Sequence, residues 1–581
     1  MYEVVVGIDF GSSGTGYAYS FMDKNRIIHG EIPGSGVDQK VPTEIILDDN
    51  NNVIHFGVNC INHLKEKTHY FKGIKMHLYE KKSKIVSVNS GKELDLIIVI
   101  QKVLEEIKKI AIEKLSMNRP YLAQQTGKIK WVVTVPAIWD DYQKNVMMES
   151  CIRAGLVNAN TDKSLFFALE PEAASLYCSI NKEIDRKYFN KGEYYIVCDL
   201  GGGTGDIVAH LVGSNNNLNE ISPSCGGIYG SNEINKLFFK DVIGKLFGCH
   251  DFISFYLKYW RNKNNNDEME VENEEGMDEL YQGWCEFESH VKMFKESSGL
   301  KQIENNETYN INCSLFKSIV NEDINKLVNE YNDKIDDISV KLSVGSKNRW
   351  IVKFPYQIIF NYMKTQAISI CDKINSINSK EEIKTLIFVG GYCHNEIIVN
   401  LIKLNLKKIN TYLQPSYPYL AVMEGAVLFG IEPSTIDIRK AKYTIGEGLD
   451  CHWDDSIHKG KGEKYFDEDF NDWYCKDCFK TFVEINQDIK YGEAISNYSY
   501  INKGQKVSKC HFYKTEKINP VFDFEEGVIK IGECLLDLGE SYENLEDREI
   551  ETTMKFGGTF IDVTAKHLKS GKSVKTILTF D

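Results

Sequence analysis

The sequence has no long apolar run. Its longest wholly apolar stretches, Leu96–Ile100 among them, fall far short of the roughly 18 residues a membrane span needs, so no spanning helix is expected. Clustered positive charge is missing too: 69 Lys and Arg against 83 Asp and Glu give a net charge of −14 at pH 7. Outside helical patterns no basic block exceeds a pair, which argues against sequence-independent nucleic-acid binding. The opening residues, MYEVVVGIDFG, hold no basic region or cleavable apolar segment, so secretion is not expected and the expected compartment is the cytoplasm, with the nucleus left open. The 15 cysteines are odd in number and scattered singly through apolar stretches (Cys60, Cys151, Cys178, Cys198, Cys371), as reduced core thiols are, so no disulfide framework is expected. No Ser-His-Asp or Cys-His nucleophile pattern stands out.

What is present is ordinary globular composition, 42% hydrophobic and 26% charged, over 581 residues. At roughly 100–200 residues per domain, that length predicts about three to five compact units. Residues 4–8, VVVGI, are β-branched and lead into Gly11-Ser12-Ser13-Gly14-Thr15-Gly16, after which Tyr17–Phe21 resumes a strand pattern. The glycine turn therefore closes a hairpin, whereas Walker and dinucleotide loops run from a strand into a helix. The arrangement recurs at Tyr194–Val212, where YYIVC is followed by Asp199-Leu200-Gly201-Gly202-Gly203-Thr204-Gly205-Asp206 and then IVAHLV. Such self-similarity predicts a duplicated α/β unit, each half presenting one turn to a shared cleft.

Between the turns, apolar residues at helical spacing predict an amphipathic helix over Leu96–Leu115, then a buried strand Trp131–Val135 and a helix started by Asp140 and ending near Gly155. In the second half a short buried strand, Leu386–Val389, ends in Gly390-Gly391 and is followed by a helix from about Asn395 to Leu404. The Asn- and acid-rich stretch Arg261–Glu279 has almost nothing to bury and reads as a solvated insertion. After about Arg439 helical periodicity ceases. Hairpin signals appear at Lys490-Tyr491-Gly492, Asn502-Lys503-Gly504 and Ser570-Gly571, predicting a β domain.

Two glycine hairpin turns, each preceded by an aspartate, suit a nucleoside triphosphate with magnesium. Backbone N–H groups in a tight, Cβ-free turn form an anion nest, and carboxylates hold the metal's hydration shell. Asp9, Asp199 and Asp206 are the candidate carboxylates.

The segments IDFGSSGTG, WVVTVPAIW, LEPEAASLYC, CDLGGGTGD and FVGGYCHNEI resemble the motif series of the actin, sugar kinase and heat shock 70 kDa ATPase superfamily. More narrowly, TVPAIW, ALEPEAASLYC and EGAVLFGIEP resemble the atypical heat shock 70 kDa protein 12 branch. The resemblance implies an α/β fold: a duplicated actin-like, ribonuclease H-like two-lobed ATPase domain followed by a β-sandwich-like C-terminal domain. Lobe I would span 1–190 and lobe II 191–440, with the insertion 261–279. A β-rich, substrate-binding-like domain without a helical lid would span 441–581.

Carried over residue by residue, the resemblance places Asp9, Asp199 and Asp206 around Mg2+, largely through water. Gly11, Ser12, Ser13 and Gly201, Gly202, Gly203 and Thr204 would hold the β- and γ-phosphates, with Gly230 lining the same pocket. Thr204 would contact the terminal phosphate or the attacking water, Glu170 the metal's water shell, and Lys75, in preference to Lys72, the γ-phosphate. Gly390 and Gly391 resemble the adenosine motif, and Glu288 and Lys292 would bracket ribose and adenine. The chain departs from DnaK-type proteins here, with Ser289-His290-Val291-Lys292 in place of a basic run and Tyr392-Cys393-His394 in place of an Arg after the glycine pair.

The activity implied is slow hydrolysis of ATP to ADP and phosphate, coupling nucleotide state to binding of protein or peptide clients at the C-terminal β domain; the resemblance identifies no co-chaperone. The alternatives are a non-hydrolytic nucleotide-sensing scaffold and, less well supported by the chaperone-like β region, a small-molecule kinase. Cys475-Lys476-Asp477-Cys478, with Cys451-His452 upstream, has a zinc-like spacing. The upstream pair lacks the paired spacing of a ribbon, and Trp473, Phe479 and Phe482 favour reduced thiols in or near a packed sheet. His63, His69 and His77 read as polar surface residues.

Overall fold

The computed structural model describes residues 2–24, 26–35, 39–65, 67–158, 163–264, 277–345, 350–378, 382–556 and 558–579. It is a mixed α/β structure in which two sheets follow one plan. In the first, β1 (Val4–Phe10) pairs antiparallel with β2 (Gly14–Phe21) and parallel with β3 (Ile129–Val135), which pairs parallel with β4 (Leu165–Leu169). In the second, β5 (Tyr194–Leu200) pairs antiparallel with β6 (Gly205–Val212) and parallel with β7 (Thr385–Val389), which pairs parallel with β8 (Thr411–Leu413). The register repeats as well. Asp9 lies opposite Gly16 and Phe10 opposite Thr15, as Asp199 lies opposite Asp206 and Leu200 opposite Gly205. The two aspartates thus stand at equivalent positions at the ends of equivalent strands. All seven residues of β1 are buried, which is why that strand is a continuous apolar run and does not alternate.

The helices include α1 (Ile74–Tyr79), α2 (Leu96–Asn118), α3 (Asp141–Arg153), α4 (Glu170–Ile180), α5 (Ser231–Phe238), α6 (Phe252–Asn264), α7 (Met277–Glu296), α8 (Tyr356–Ile377), α9 (Glu396–Asn405) and α10 (Ala421–Ile431). On α2 the buried side chains Leu96, Val99, Ile100, Val103, Leu104, Ile107, Ala111 and Leu115 form one stripe. Asp140 starts α3 with a capping box: its carboxylate accepts from the Tyr142 amide while Gln143 accepts from the Asp140 amide. Helices α4 and α10 join the two sheets. Val5, Val132 and Ala168 from the first and Val197, Val208, Ile387 and Val389 from the second share one core with Ala173, Ala174, Met423 and Ala426. Gly425 makes this possible, since a Cβ there would run into the Ala173 carbonyl.

Ends of the expected insertion belong to helices: 261–264 continue α6 and 277–279 open α7. Its remainder, 265–276, lies outside the described residues. The three histidines share no helical face, and His69 is buried, bonded to Ser90 and Asp49, because its strand (Thr68–Phe71) is covered on both sides.

Beyond α10, β9 (Ile436–Lys440) extends the second sheet. Next come β10 (Thr444–His452), β11 (Lys464–Asp467), β12 (Asp472–Val483), β13 (Asp488–Lys490), β14 (Ala494–Tyr500), β15 (Val507–Thr515), β16 (Ile529–Asp537), β17 (Glu549–Lys555), β18 (Phe560–His567) and β19 (Ser573–Thr579). They form a five-stranded sheet, ordered β11-β12-β10-β15-β16, and a four-stranded sheet, β14-β17-β18-β19. Phe482, Cys510, Phe512 and Leu536 of one share a core with Met554, Ile561, Val563 and Leu578 of the other. Of the three expected hairpins only Ser570-Gly571 is one, joining β18 to β19. Gly492 and Gly504 make tight turns at positive φ, but the chain they redirect passes between sheets, because β13 pairs with β9 and β14 with β17.

The β-rich region is tied to what precedes it. Arg439 makes a bidentate bond to Glu172 at 2.7 Å with both side chains buried, Lys514 pairs with Asp141 at 2.6 Å, and the Thr559 hydroxyl donates to the Phe167 carbonyl at 2.7 Å. No described helix is long and apolar enough to cross a membrane.

Candidate functional site

The two glycine turns meet. A Cβ on Gly202 would fall against Ser13 and one on Gly203 against Ser12, so residues 201–203 of the second half lie directly on residues 12–13 of the first. A hydrogen bond from Asn232 Nδ2 to Ser13 Oγ, 2.9 Å, closes the contact. The carbonyls of Gly201, Gly202 and Gly203 accept from the amides of Ser231, Asn232 and Gly230 at the start of α5. Because C=O and N–H of a trans peptide point in opposite directions, the amides of Gly202, Gly203 and Thr204 are turned away from that helix. The first turn is held alike: Thr43 donates its hydroxyl to the Gly11 carbonyl at 2.7 Å and its amide to the Ser13 carbonyl at 3.3 Å. Gly230 is locked in place, since a Cβ there would strike the backbone of Gly202 and Gly203.

Charged side chains gather beside the turns. Lys75, in the first turn of α1, is almost wholly buried; its ammonium bonds Glu170, the first residue of α4, and lies 5.6 Å from the centre of the Trp139 ring. Lys40 bonds Asp9 at 2.5 Å, and the Thr134 hydroxyl reaches the other Asp9 oxygen at 3.3 Å. Asp206 accepts from the Ala137 amide at 2.8 Å and from Thr204. Burial, with Glu170 and Asp206 close by, pushes the Asp199 carboxyl well above the usual range. Asp206 is raised to about 7, by burial and then by Glu170. Burial also raises Glu170, against the opposing pull of Lys75. Four carboxylates facing two ammonium groups leave this place short of positive charge, the environment in which a cation is taken up. Among the described residues no three of these carboxylates bring an oxygen each within 4.8 Å of one another; carboxylates spaced so could hold a metal ion through its waters.

On the other side, Gly390 adopts φ +87° and sits so tightly on Asp199 and Leu200 that no side chain fits, while a Cβ on Gly391 would meet nothing within 4 Å. Tyr392 donates to Gln366 at 3.0 Å, and Gln366 donates to the Gly230 carbonyl at 3.1 Å, so the glycine pair is bridged to the residue packed on the second glycine turn. Glu288 accepts from Lys72 at 2.6 Å and from Trp284 at 2.9 Å. Lys292 is largely exposed and paired with Glu296 at 3.7 Å. Lys295, one turn on, is buried and donates to the Ser231 carbonyl at 3.0 Å; burial lowers its ammonium to about 8. Lys40, Thr43, Asn232, Lys295 and Gln366 escape sequence reasoning. Only Asn232 carries a signal, as a polar residue at the start of a helix behind a glycine.

No family model matches the chain. Full-length relatives do. It is 27% identical to heat shock 70 kDa protein 12A of Homo sapiens over 658 aligned positions, covering 99% of this chain and 91% of the relative. It is 26% identical to the Mus musculus 12A protein over 657 positions with the same coverage, and 24% identical to heat shock 70 kDa protein 12B of Homo sapiens over 660 positions, covering 100% and 91%. Along nearly its whole length, then, the chain is similar to proteins of the heat shock 70 kDa protein 12 branch. The heat shock 70 kDa protein 12 alignments cover nearly the whole chain and so take in the glycine turns, α10 and the β-rich region alike.

Proposed function

We propose that this chain is a magnesium- and ATP-binding, slowly hydrolysing heat-shock-70-like protein. In this reading residues 1–190 and 191–440 act as two lobes that close on the nucleotide, and its state regulates the holding of protein or peptide clients by a β-sandwich at 441–581. The supporting observation is the contact of Ser12 and Ser13 with Gly203 and Gly202 beside the buried acids Asp9, Asp199 and Asp206.

The amides of Gly202, Gly203 and Thr204 and the hydroxyls of Ser12 and Ser13 would bind and orient the β- and γ-phosphates. Held by Asp9, Asp199 and Asp206 through its waters, magnesium would supply the positive charge the acids lack. Lys75, fixed by Glu170, would neutralise charge that develops on the terminal phosphate, and Thr204 would orient water against it. Such positioning and preorganised charge supply most of the acceleration in phosphoryl transfer. Gly391 would leave room for the adenine, with Glu288 at the ribose. A client would pair its backbone with an exposed strand of the β-rich region, its side chains read alternately.

A second reading, a nucleotide-sensing scaffold that does not hydrolyse, is favoured by one contact: Lys40 on Asp9 ties up a carboxylate that the metal's water shell needs. Steady-state ATP turnover separates the two. The hydrolytic reading expects phosphate release in the wild type that Asp199→Ala abolishes; equal background rates in both proteins would sink it.

A further inference from the structure

Far from the glycine turns, three chemistry-bearing side chains of the β-rich region point at one another. Cys451 lies near the end of β10, His458 ends the short helix Asp455–His458, and Cys478 lies in β12. Their ligand atoms all lie within 4.8 Å of one another, with His458 Nε2 3.7 Å from the Cys451 sulfur and 4.0 Å from the Cys478 sulfur. Metal–sulfur and metal–nitrogen distances of about 2.3 and 2.0 Å at tetrahedral angles separate ligand atoms by about 3.5–3.8 Å, close to this spacing.

Cys475 lies beside this group, outside the 4.8 Å set but packed with Cys478 and Cys451. It stands opposite Cys451 across the strand pair, beyond a bulge that shifts the register between Leu449 and Cys451, and is fully buried in a small cluster with Cys478 and Phe522. In a flat strand, residues three apart point to opposite faces. Here Asp477, between the two cysteines, adopts φ 56°, a left-handed kink uncommon for a non-glycine residue inside a strand. That kink breaks the alternation and lets Cys475 and Cys478 be buried together. The chain after the short helix folds over them: the Gly462 amide donates to the His458 carbonyl at 2.9 Å, and a Cβ on Gly462 would collide with the Cys475 sulfur. The Trp453 and Phe522 rings lie 5.5 and 5.9 Å from the imidazole.

From this arrangement we infer that Cys451, His458, Cys475 and Cys478 form a closed Cys3His zinc site. Three thiols with one imidazole are the donor set of a structural zinc centre, and four protein ligands leave no open position for catalysis. The sequence suggests His452 as the partner, but His452 is exposed and bonded to Asp472 and Tyr474, because consecutive residues of β10 face opposite sides. The right histidine lies six residues further on, brought back by a single turn of helix. The Asp454 amide donates to His458 Nδ1 at 2.9 Å, so in the neutral imidazole Nε2 carries the ring proton and faces the sulfurs as a donor. Loading expels the thiol protons, moves the ring proton to Nδ1 and requires the Asp454 amide to yield. The ion would tie together β10, the helix turn and β12.

Elemental analysis of the full-length chain, purified under reducing conditions from zinc-supplemented culture, is expected to find about one zinc per chain. His458→Asn and Cys478→Ser are expected to lose it, while His452→Asn keeps it. Should a variant fail to fold, the wild type alone answers. Bound zinc protects Cys451, Cys475 and Cys478 from alkylation until a chelator is added, and Co2+ added to the stripped protein gives the visible absorption of tetrahedral thiolate coordination. Zinc-free wild type with no Co2+ spectrum would overturn the site in favour of a plain Nε2–H···S hydrogen-bonded cluster. Zinc retained equally by His458→Asn and Cys478→Ser would overturn the ligand assignment.

Discussion

Asn232 donates its side-chain amide to Ser13 Oγ over 2.9 Å, joining the first glycine turn to the helix on which the second is mounted. Equivalent hairpins of two sheets with the same strand order are thereby brought face to face, and the buried acids at their roots are gathered with them.

Gly391 and Gly230 separate ligand space from packing space. Alanine at Gly391 meets no protein atom within 4 Å, so thermal stability is expected to stay unchanged while ATP affinity falls ~10-fold as the new methyl meets the base, a loss of ~1.4 kcal/mol. Alanine at Gly230 strikes the backbone of the second turn, so stability and affinity are expected to fall together. Thermal melts with calorimetric titration check both; unchanged affinity in Gly391→Ala would remove adenine from that place.

Lys75→Met should separate turnover from binding. Removing preorganised charge beside developing negative charge costs ~10²–10³ in rate, so single-turnover hydrolysis is expected to slow by that factor with ATP affinity held within a few-fold. A loss of affinity matching the loss of rate would make Lys75 a binding group only.

The Arg439–Glu172 pair links β9 to α4 with both partners buried. Breaking a buried pair on one side strands the other charge, so Arg439→Ala is expected to cost about 3–5 kcal/mol of stability. The double variant Arg439→Met with Glu172→Met is expected to recover much of that loss. Denaturant unfolding of the three proteins checks the pattern.

Glu447, wholly buried in the β-rich region and accepting from Thr552 at 3.1 Å, has its carboxyl pushed up to about 9 by burial and then by Cys510, from an ordinary 4.5. The unfolded chain sheds this proton above about 4.5 while the folded chain keeps it to about 9. The contribution is therefore full at low pH and is lost as pH rises through that window, by ~1.4 kcal/mol per pH unit. Glu447→Gln, which cannot ionise, is expected to flatten the fall in stability between pH 5 and pH 9, measured by denaturant unfolding at several pH values.

The repeated hairpins were legible because a glycine turn between two apolar strands leaves the same local imprint wherever it occurs, and the matching aspartates fixed the alignment of the halves. The strand order beyond Arg439 was not. Gly492 and Gly504 have the turn chemistry of hairpins, yet which strand each successor pairs with is decided by burial against residues far along the chain, such as Met554 opposite Ile495. Lys40 was illegible for the same reason: nothing near VDQKVPT reveals that its ammonium ends on Asp9. His458 was illegible too, because its approach to the thiols depends on a single turn of helix that carries the chain back after β10, whereas the sequence shows only His452 beside Cys451.

Calorimetric titration of the full chain with ATP, with and without magnesium, in the wild type and in Asp199→Ala tests the shared nucleotide site most directly. One molecule of ATP per chain, bound at least ~10-fold more tightly with magnesium and losing that gain in the variant, is the expected result. Magnesium-independent binding unaffected by Asp199→Ala, or no binding, would contradict it.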